Sequence, residues 1–273
     1  MLWHDLQKLQ NKGSSSMPIT SYLFAVLAAI AAGMINALAG GGTLITFPVL
    51  LAIGLPAVSA NVTNTIALCP GFLGGTLAQS QDLRDQKRRL WTVLPAGVLG
   101  GLVGGLLLLR TSDKLFTNLV PFLILAASAL LAIQNPVRNW LTRRLEQGKA
   151  QRLPEFWIFV PVFLGAIYGG YFGAGLSVIL LSVLGLILND NLTRLNALKQ
   201  SIAFSANLAA AVLFVFSGKI HWPVALVMMA GALLGGSLGG RLASRIKPAT
   251  LRWVVVAIGF VVGTIYLVRT FIL

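Results

Sequence analysis

The chain has 273 residues, of which 56% are hydrophobic and only 10% are charged. Soluble domains carry about 25% charged residues, and several apolar runs here reach the roughly 20 residues of a spanning helix, so a soluble protein is excluded. The net charge of +14 falls mainly in short loops between apolar segments. This distribution of charge indicates a polytopic membrane protein in a lipid bilayer. The chain has no stripe of basic and aromatic residues, so we expect no nucleic-acid partner.

The first residues of the chain, 1–18, are polar and include Gly13 followed by three serines. They are too polar to form the apolar core of a signal peptide. We predict a flexible N-terminal tail there and assign it no function.

Ten apolar segments follow the tail. They lie near 19–38, 43–55, 60–80, 91–109, 115–134, 156–172, 176–188, 200–217, 222–240 and 250–268. Two of them, 43–55 and 176–188, have only about half to two-thirds of the length that a spanning helix needs. The sequence therefore predicts an all-α polytopic membrane protein with about eight transmembrane helices and two short half-helices. Whether the half-helices cross the membrane or re-enter is left open.

The segments divide into two tandem repeats, 19–134 and 156–273, joined by a basic linker, 135–155. Each repeat contains a broken helix and three ordinary helices. The sharpest match between the halves is a Gly-Gly-x-x-Gly-Gly pattern, which begins at Gly100 in the first half and at Gly235 in the second. Small residues at this spacing let two helix backbones approach closely, so we interpret the pattern as helix packing.

The loop charges predict that the two repeats are inverted relative to each other. In the first half the basic loop precedes the glycine-patterned helix and carries Arg84, Lys87, Arg88 and Arg89. In the second half the basic residues follow that helix, at Arg241, Arg245, Lys247 and Arg252. Equivalent loops then prefer opposite sides of the membrane, as in inverted-topology repeats, and each repeat needs an odd number of crossings.

Each half interrupts an apolar run with glycine at a corresponding place. The first break contains Gly40, Gly41, Gly42 and Thr43, and the second contains Gly173, Gly175 and Ser177. Paired breaks of this kind point to the substrate site of a secondary transporter, because the exposed helix ends offer N–H groups that suit an anion. The glycines let the backbone approach a ligand, although they also permit a tight chain reversal.

Neutral hydrogen-bonding side chains and one lysine lie near the breaks. The candidate substrate-binding side chains are Asn36, Asn61, Asn64, Thr65, Tyr168, Asn196 and Lys199, with Asn64 roughly matching Asn196. For the asparagines, substrate contact and helix scaffolding both remain open. Lys199 stands at the entry to an apolar helix, where it can bind an anion or extend to the membrane interface.

The sequence offers no set of residues for catalysis or for metal binding. All seven acidic residues fall in or beside loops: Asp5, Asp82, Asp85, Asp113, Glu146, Glu155 and Asp190. The single cysteine, Cys69, and the two histidines have no partners at ligand spacing. We therefore expect no enzyme activity, no metal and no cofactor, and no intramembrane carboxylate that relays protons.

Two groups of motifs carry a resemblance to a known family. The first half reads Gly33-x-x-Asn36 before the glycine break, then Pro48, then Ala60-Asn61-Val-Thr63-Asn64-Thr65; the second reads Gly165-x-x-x-Gly-Gly-x-x-Gly173-x-Gly175 and Arg194-x-Asn196-Ala197-x-Lys199. In this order the chain resembles the TauE/SafE family of sulfite-exporter-like permeases. The resemblance covers about residues 20–270.

The resemblance implies a multi-pass transporter of small anions in the bacterial inner membrane, acting on sulfite, organosulfonates or related sulfur oxyanions. Its motifs match at Asn36, Gly40, Gly41, Gly42, Thr43, Asn61, Thr65, Gly173, Gly175, Asn196 and Lys199. We expect alternating access between the two glycine-broken helices, with homo-oligomers left open. The alternatives are an anion channel and a non-transporting membrane scaffold subunit.

Overall fold

The computed structural model describes residues 17–38, 41–146, 155–188, 190–242 and 248–271, and the regular elements among them are helices. The longer helices are α1 (Ile19–Leu38), α2 (Thr43–Ala52), α3 (Ala57–Ala78), α4 (Lys87–Arg110), α5 (Asp113–Ala132), α6 (Gln134–Glu146), α7 (Phe159–Tyr171), α8 (Leu176–Ile187), α9 (Leu192–Val215), α10 (Trp222–Leu242) and α11 (Pro248–Phe271). A helical turn, Ser80–Leu83, and the 3₁₀ turns Arg84–Gln86 and Glu155–Ile158 complete them. Most of the predicted tail lies outside the described residues.

Five stretches of helix in the described part are long and apolar enough to span a membrane: Ile19–Asn36, Ser80–Arg110, Asp113–Ala132, Leu192–Val215 and Ala249–Phe271. Large apolar side chains such as Trp91, Leu164 and Val261 are exposed on the outside of the bundle. Such a surface is stable against lipid rather than against water. The chain is thus an all-α, multi-pass membrane protein, although five stretches rather than the predicted eight meet these span criteria.

The segment 156–172, predicted as a transmembrane helix, is shorter than a spanning helix. Helix α7 in this segment has 13 residues and is about 20 Å long, and the following helix α8 has 12 residues and is about 18 Å long. The hydrocarbon core of a bilayer is about 30 Å thick. The two helices run antiparallel in contact, because a Cβ on Gly169 would meet Leu176 and one on Gly165 would meet Ile179. They therefore form a short helical hairpin whose tip is the second glycine break.

The first break also reverses the chain. A Cβ on Gly42 would lie 2.7 Å from the carbonyl oxygen of Ala32, which is six residues before the end of α1. The start of α2 therefore lies back alongside α1 rather than beyond its end.

Glycine lets α4 pack closely against two neighbours. A Cβ on Gly101 would lie 2.7 Å from the Cα of Ala206 in α9, and one on Gly104 would lie 2.8 Å from the backbone nitrogen of Tyr171 in α7. Both distances are below van der Waals contact, so these positions exclude any side chain. The interpretation of the glycine pattern in α4 as helix packing is confirmed.

The same kind of contact joins α1 to α10. A Cβ on Gly235 would lie 2.7 Å from the carbonyl carbon of Ile30, and one on Gly33 would lie 2.8 Å from the nitrogen of Gly236. Residue numbers rise together on the two helices, so α1 and α10 are parallel. By contrast, α5 and α11 are antiparallel, because Gly259 faces Ser128 while Gly263 faces Leu125.

One end of the bundle, here called the basic end, collects the end of α3 and the starts of α4, α9 and α11. Asp190 forms ion pairs with Arg89 and with Arg194, and Arg252 donates to the side chain of Asn135. The opposite end collects the starts of α3 and α5, where the Val58 N–H donates to the carboxylate of Asp113 at 3.0 Å. The starts of α3 and α5 therefore lie at the opposite end of the bundle from the starts of α4, α9 and α11.

Candidate functional site

The second break lies at the tip of the α7–α8 hairpin. Gly173 and Gly175 have φ angles of +78° and +77°, which glycine adopts without the strain that a side chain would add. The hydroxyl of Tyr168 donates to the carbonyl oxygen of Ala174 at 2.5 Å. Tyr168, predicted as a substrate contact, therefore stabilises the turn itself.

The first break is stabilised in a comparable way. The side-chain oxygen of Asn36 accepts a hydrogen bond from the Gly42 N–H at 2.8 Å, and the Thr46 hydroxyl donates to the Gly42 carbonyl at 3.2 Å. The N–H of Gly42 is thus already satisfied, and Asn36 acts as scaffold here. Thr43 is half-buried at the start of α2, and Gly40 lies outside the described residues.

Each stabilising bond joins residues six apart, but the side chain accepts the hydrogen bond at one break and donates it at the other. Asn36 accepts an N–H at the first break, whereas Tyr168 donates to a carbonyl at the second. In α8 the N–H groups of Leu176 and Val178 bond to backbone carbonyls, while that of Ser177 has no acceptor among the described residues. Donors suited to an anion therefore remain at the second break, where the helix dipole is positive.

Both breaks pack against apolar side chains. A Cβ on Gly175 would lie 3.3 Å from Leu130, and one on Gly41 would contact Leu131, the next residue of α5. In addition, the rings of Phe47 and Phe172 pack edge to face, with centroids 5.4 Å apart. Both breaks therefore pack against α5, and the aromatic contact joins α2 to the second break in the described conformation.

Asn61 of α3 contacts the helix that leads into the break of the other half. The Asn61 side-chain nitrogen donates to the carbonyl oxygen of Tyr171, the last residue of α7, at 2.8 Å. The Thr65 hydroxyl donates to the Asn61 carbonyl at 3.0 Å within α3. Asn61 and Asn64 are 1% and 2% exposed, and the side-chain oxygen of each has no hydrogen-bond donor among the described residues.

Lys199 and Asn196 form a polar group near the basic end. The Lys199 Nζ donates to the Asn196 side-chain oxygen at 2.6 Å, and the Asn196 nitrogen donates to the Gln79 side-chain oxygen at 2.8 Å. The ion pairs of the described residues involve Asp190, and none includes Lys199. Lys199 is therefore a half-buried cation without a carboxylate partner in that part of the chain.

Gln79 was missed by the sequence reasoning. It follows the last residue of α3 and reads as part of a polar loop, so no local signal identifies it. Only the approach of α9 to this end of α3, 117 positions along the chain, makes it a partner of Asn196.

Among the described residues, cavities lie at the basic end and on the outer faces of α4 and α11. A polar pocket of about 330 Å³ at the basic end is lined by Gln81, Asp82, Asp85, Asn191, Thr193 and Arg194. Two apolar grooves of about 610 Å³ each lie on α4 beside Trp91 and on α11 beside Val261. Their residues face outward, as expected for surfaces that contact lipid acyl chains.

Removing the Tyr168 hydroxyl is expected to loosen the second break. The Tyr168→Phe variant should lower the stability of the purified protein by about 0.5–1.5 kcal/mol, the usual net value of one hydrogen bond. Thermal unfolding in detergent measures the difference. Tyr22→Phe, at a half-buried tyrosine of α1 with no described hydrogen bond, serves as the control. Equal unfolding temperatures for the two variants would show that the bond to Ala174 contributes nothing.

The fold and these breaks define a class: a multi-pass helical membrane protein with two helices interrupted by glycine. A family model described as "Sulfite exporter TauE/SafE" matches residues 25–266. The chain therefore belongs to the sulfite exporter TauE/SafE family, which confirms the resemblance found in its motifs.

Individual relatives agree with this assignment. A "Probable membrane transporter protein" from Haemophilus influenzae is 34% identical over 231 residues, covering 84% of this chain and 88% of the relative. The "Probable membrane transporter protein YfcA" of Escherichia coli K12 is 26% identical over 220 residues, covering 78% and 77%. The family and these names indicate a membrane transporter.

A more distant similarity is to "Undecaprenyl-diphosphatase 2" of Burkholderia thailandensis, at 28% identity over 182 residues, covering 63% of this chain and 58% of that protein. No solved structure matches the chain.

Proposed function

We propose that this protein is a secondary transporter of a small anion, a sulfur oxyanion such as sulfite or an organosulfonate, in the bacterial inner membrane. The observation that carries the proposal is Lys199, a cation within a membrane-length helix that contacts a neutral amide and no carboxylate of the described residues. A charge held in that position without a counter-ion is typical of a substrate pathway. The family's description as sulfite exporters supports an anion of this size.

The proposed architecture is a pair of inverted repeats, 19–134 and 156–273, joined by the linker 135–155. The helix pairs support it, because α1 packs on α10 and the equivalent pair, α7 and α4, packs in the same parallel sense. Helices α5 and α11 occupy equivalent places and pack on each other, as an inverted two-fold relation requires.

The crossing number follows from the two hairpins. Helix α1 alone is long enough to span a membrane. If α1–α2 and α7–α8 each return to the side on which they begin, they add no net crossing, and three full crossings remain in each repeat: α3, α4 and α5, then α9, α10 and α11. Three is odd, so the second repeat is inverted relative to the first. The positive-inside rule then places the basic end in the cytoplasm.

The proposed anion site has two parts. Lys199 and Asn196 supply a charge-assisted donor, with Gln79 orienting the Asn196 amide. The Ser177 N–H and hydroxyl, with Gly173 and Gly175, supply donors at the start of α8. The other predicted residues of the described part would support the backbone or polar lining near the breaks: Asn36, Gly41, Gly42, Thr43, Asn61, Asn64, Thr65 and Tyr168. Gly40 lies outside the described residues and stays a prediction.

Alternating access would come from rocking one repeat against the other around this site. The cluster of Phe47, Phe116, Tyr171 and Phe172 lies towards the opposite end and joins α2, α5 and the second break. Phe47 and Phe116 are fully buried, which supports a conformation closed on this side. Separation of these rings would open it.

Flux into proteoliposomes tests the proposal. The purified full chain is reconstituted, and uptake of labelled sulfite, sulfate, thiosulfate and a sulfonate is compared with uptake by protein-free vesicles. A transporter gives saturable uptake with competition among the accepted anions. Uptake that rises linearly with concentration at a far higher rate per molecule would favour a channel, and no uptake of any anion would favour a scaffold.

A further inference from the structure

Helices α3 and α9 carry a matched pair of polar residues at the same distance from their starts. The N-cap residues are Pro56 and Asn191, and in each helix the fifth residue after the cap is asparagine: Asn61 and Asn196. The eighth residue is Asn64 in α3 but Lys199 in α9. This register pairs Asn196 with Asn61 rather than with Asn64 as the sequence comparison suggested.

The two pairs differ in what satisfies the asparagine oxygen. In α9 the residue at position eight is Lys199, and its ammonium donates to the side-chain oxygen of Asn196 at position five. A cation therefore satisfies the asparagine oxygen in this half. In α3 the residue at position eight is neutral, and the oxygens of Asn61 and Asn64 both lack a donor among the described residues. Buried acceptors of this kind are costly unless something binds them.

The orientation of Asn61 is fixed by its neighbour. Its side-chain nitrogen donates to the Tyr171 carbonyl, which can only accept, so the oxygen must point the other way. Asn64 lies three positions further along α3, on the same helical face. Tyr171 ends α7, and the C-terminal end of a helix carries unpaired carbonyls and a partial negative charge.

From this geometry we propose that Asn61 and Asn64, together with the carbonyl end of α7, form a binding site for a monovalent alkali cation such as Na⁺. The bound ion would take the place that the Lys199 ammonium fills in the other half. Oxygen ligands suit such an ion, and interrupted helices of transporters use carbonyl ends in this way.

The charge of the surroundings favours a monovalent ion. Ca²⁺ sites rely on carboxylates, and Mg²⁺ is bound through one or two of them. The carboxylate that contacts α3, Asp113, accepts from Val58 and belongs to an exposed residue nearer the start of the helix. The same oxygens repel an anion, so this group does not duplicate the role given to Lys199.

Cation binding at this site does not depend on the proposed function. Co-transport of the cation with an anion does rest on that function. Its test therefore starts with binding alone. The purified full chain is unfolded thermally in NaCl, LiCl, KCl and choline chloride at equal chloride concentration, with no substrate anion added. At a concentration about tenfold above the dissociation constant, an alkali cation should raise the Tm by about 3–5 °C over choline.

Two variants and one control sharpen this test. Asn64→Ala should lose the cation-dependent shift in Tm. Asn64→Lys, which introduces the arrangement of α9, should be insensitive to the cation because its own ammonium occupies the place. Asn118→Ala, at a half-buried asparagine of α5, should keep the full shift.

Equal Tm values in all four salts for the unaltered protein would overturn the proposal, even if a variant fails to fold. A shift that survives in Asn64→Lys would overturn it as well. An imposed Na⁺ gradient in proteoliposomes then separates the two claims. Cation-dependent Tm without anion flux would reject the transporter alone, and anion flux without a cation-dependent Tm would reject the cation site alone.

Discussion

Replacing Lys199 with glutamine is expected to reduce anion uptake into proteoliposomes by about 10- to 100-fold. A hydrogen bond to a charged group contributes about 1.5–3 kcal/mol, and each 1.4 kcal/mol corresponds to a factor of ten. Glutamine retains a donor of similar length, so the change removes charge more than volume. Initial rates measured across anion concentrations would show whether the loss lies in the apparent affinity, as a binding role requires.

The matched control is Lys114→Gln, which removes the same charge from an exposed residue near the opposite end. Its uptake should stay close to that of the unaltered protein, while Lys199→Arg should retain part of the activity because its charge remains. The thermal unfolding of each variant in detergent checks that it is folded. If a folded Lys199→Gln protein transported anions at the original rate, Lys199 would be an interfacial lysine, and the main support for the anion site would be lost.

Substituting alanine for Gly101 is expected to lower the free energy of unfolding by about 1–3 kcal/mol, the usual cost of overpacking. The new methyl group would lie 2.7 Å from the Cα of Ala206, and a backbone atom cannot move aside as a flexible side chain can. Helices α4 and α9 would have to separate. Leucine at this position should prevent accumulation of folded protein, because the clash extends over more atoms.

Gly74→Ala provides the control for this experiment. Gly74 lies in the exposed part of α3, where an added Cβ would meet nothing within 4 Å. Alanine has a higher helix propensity than glycine by about 1 kcal/mol, so this variant should be as stable as the original or slightly more so. The same thermal unfolding assay serves both. A Gly101→Ala protein as stable as Gly74→Ala would show that α4 and α9 are not packed as closely as described.

The protein class, the family and one packing motif could be predicted from local properties of the chain. The scarcity of charge identified a membrane protein, and the order of glycine motifs identified the TauE/SafE family. The glycine pattern of α4 was correctly interpreted as packing, since small residues four apart need no knowledge of their partner to indicate close approach. The number of spans was less predictable, because an apolar run shows the same composition whether it crosses the membrane or turns back.

The candidate site was predicted only in outline. Asn36 and Tyr168 were found near the breaks, but whether each binds a ligand or supports the backbone depends on a hydrogen bond that spacing does not reveal. Gln79 carried no signal because its partner, Asn196, lies on another helix. The roles of these residues depend on which helices meet.

Composition and the two glycine interruptions by themselves determined that this chain is a helical membrane protein with paired breaks, since hydrophobicity and backbone freedom act locally. Only the tertiary structure decided that Asn61 reaches the end of α7, 110 positions away, and that its oxygen and that of Asn64 are left without donors. Packing of α3 against the opposite half sets those contacts, and no property of either segment alone specifies it.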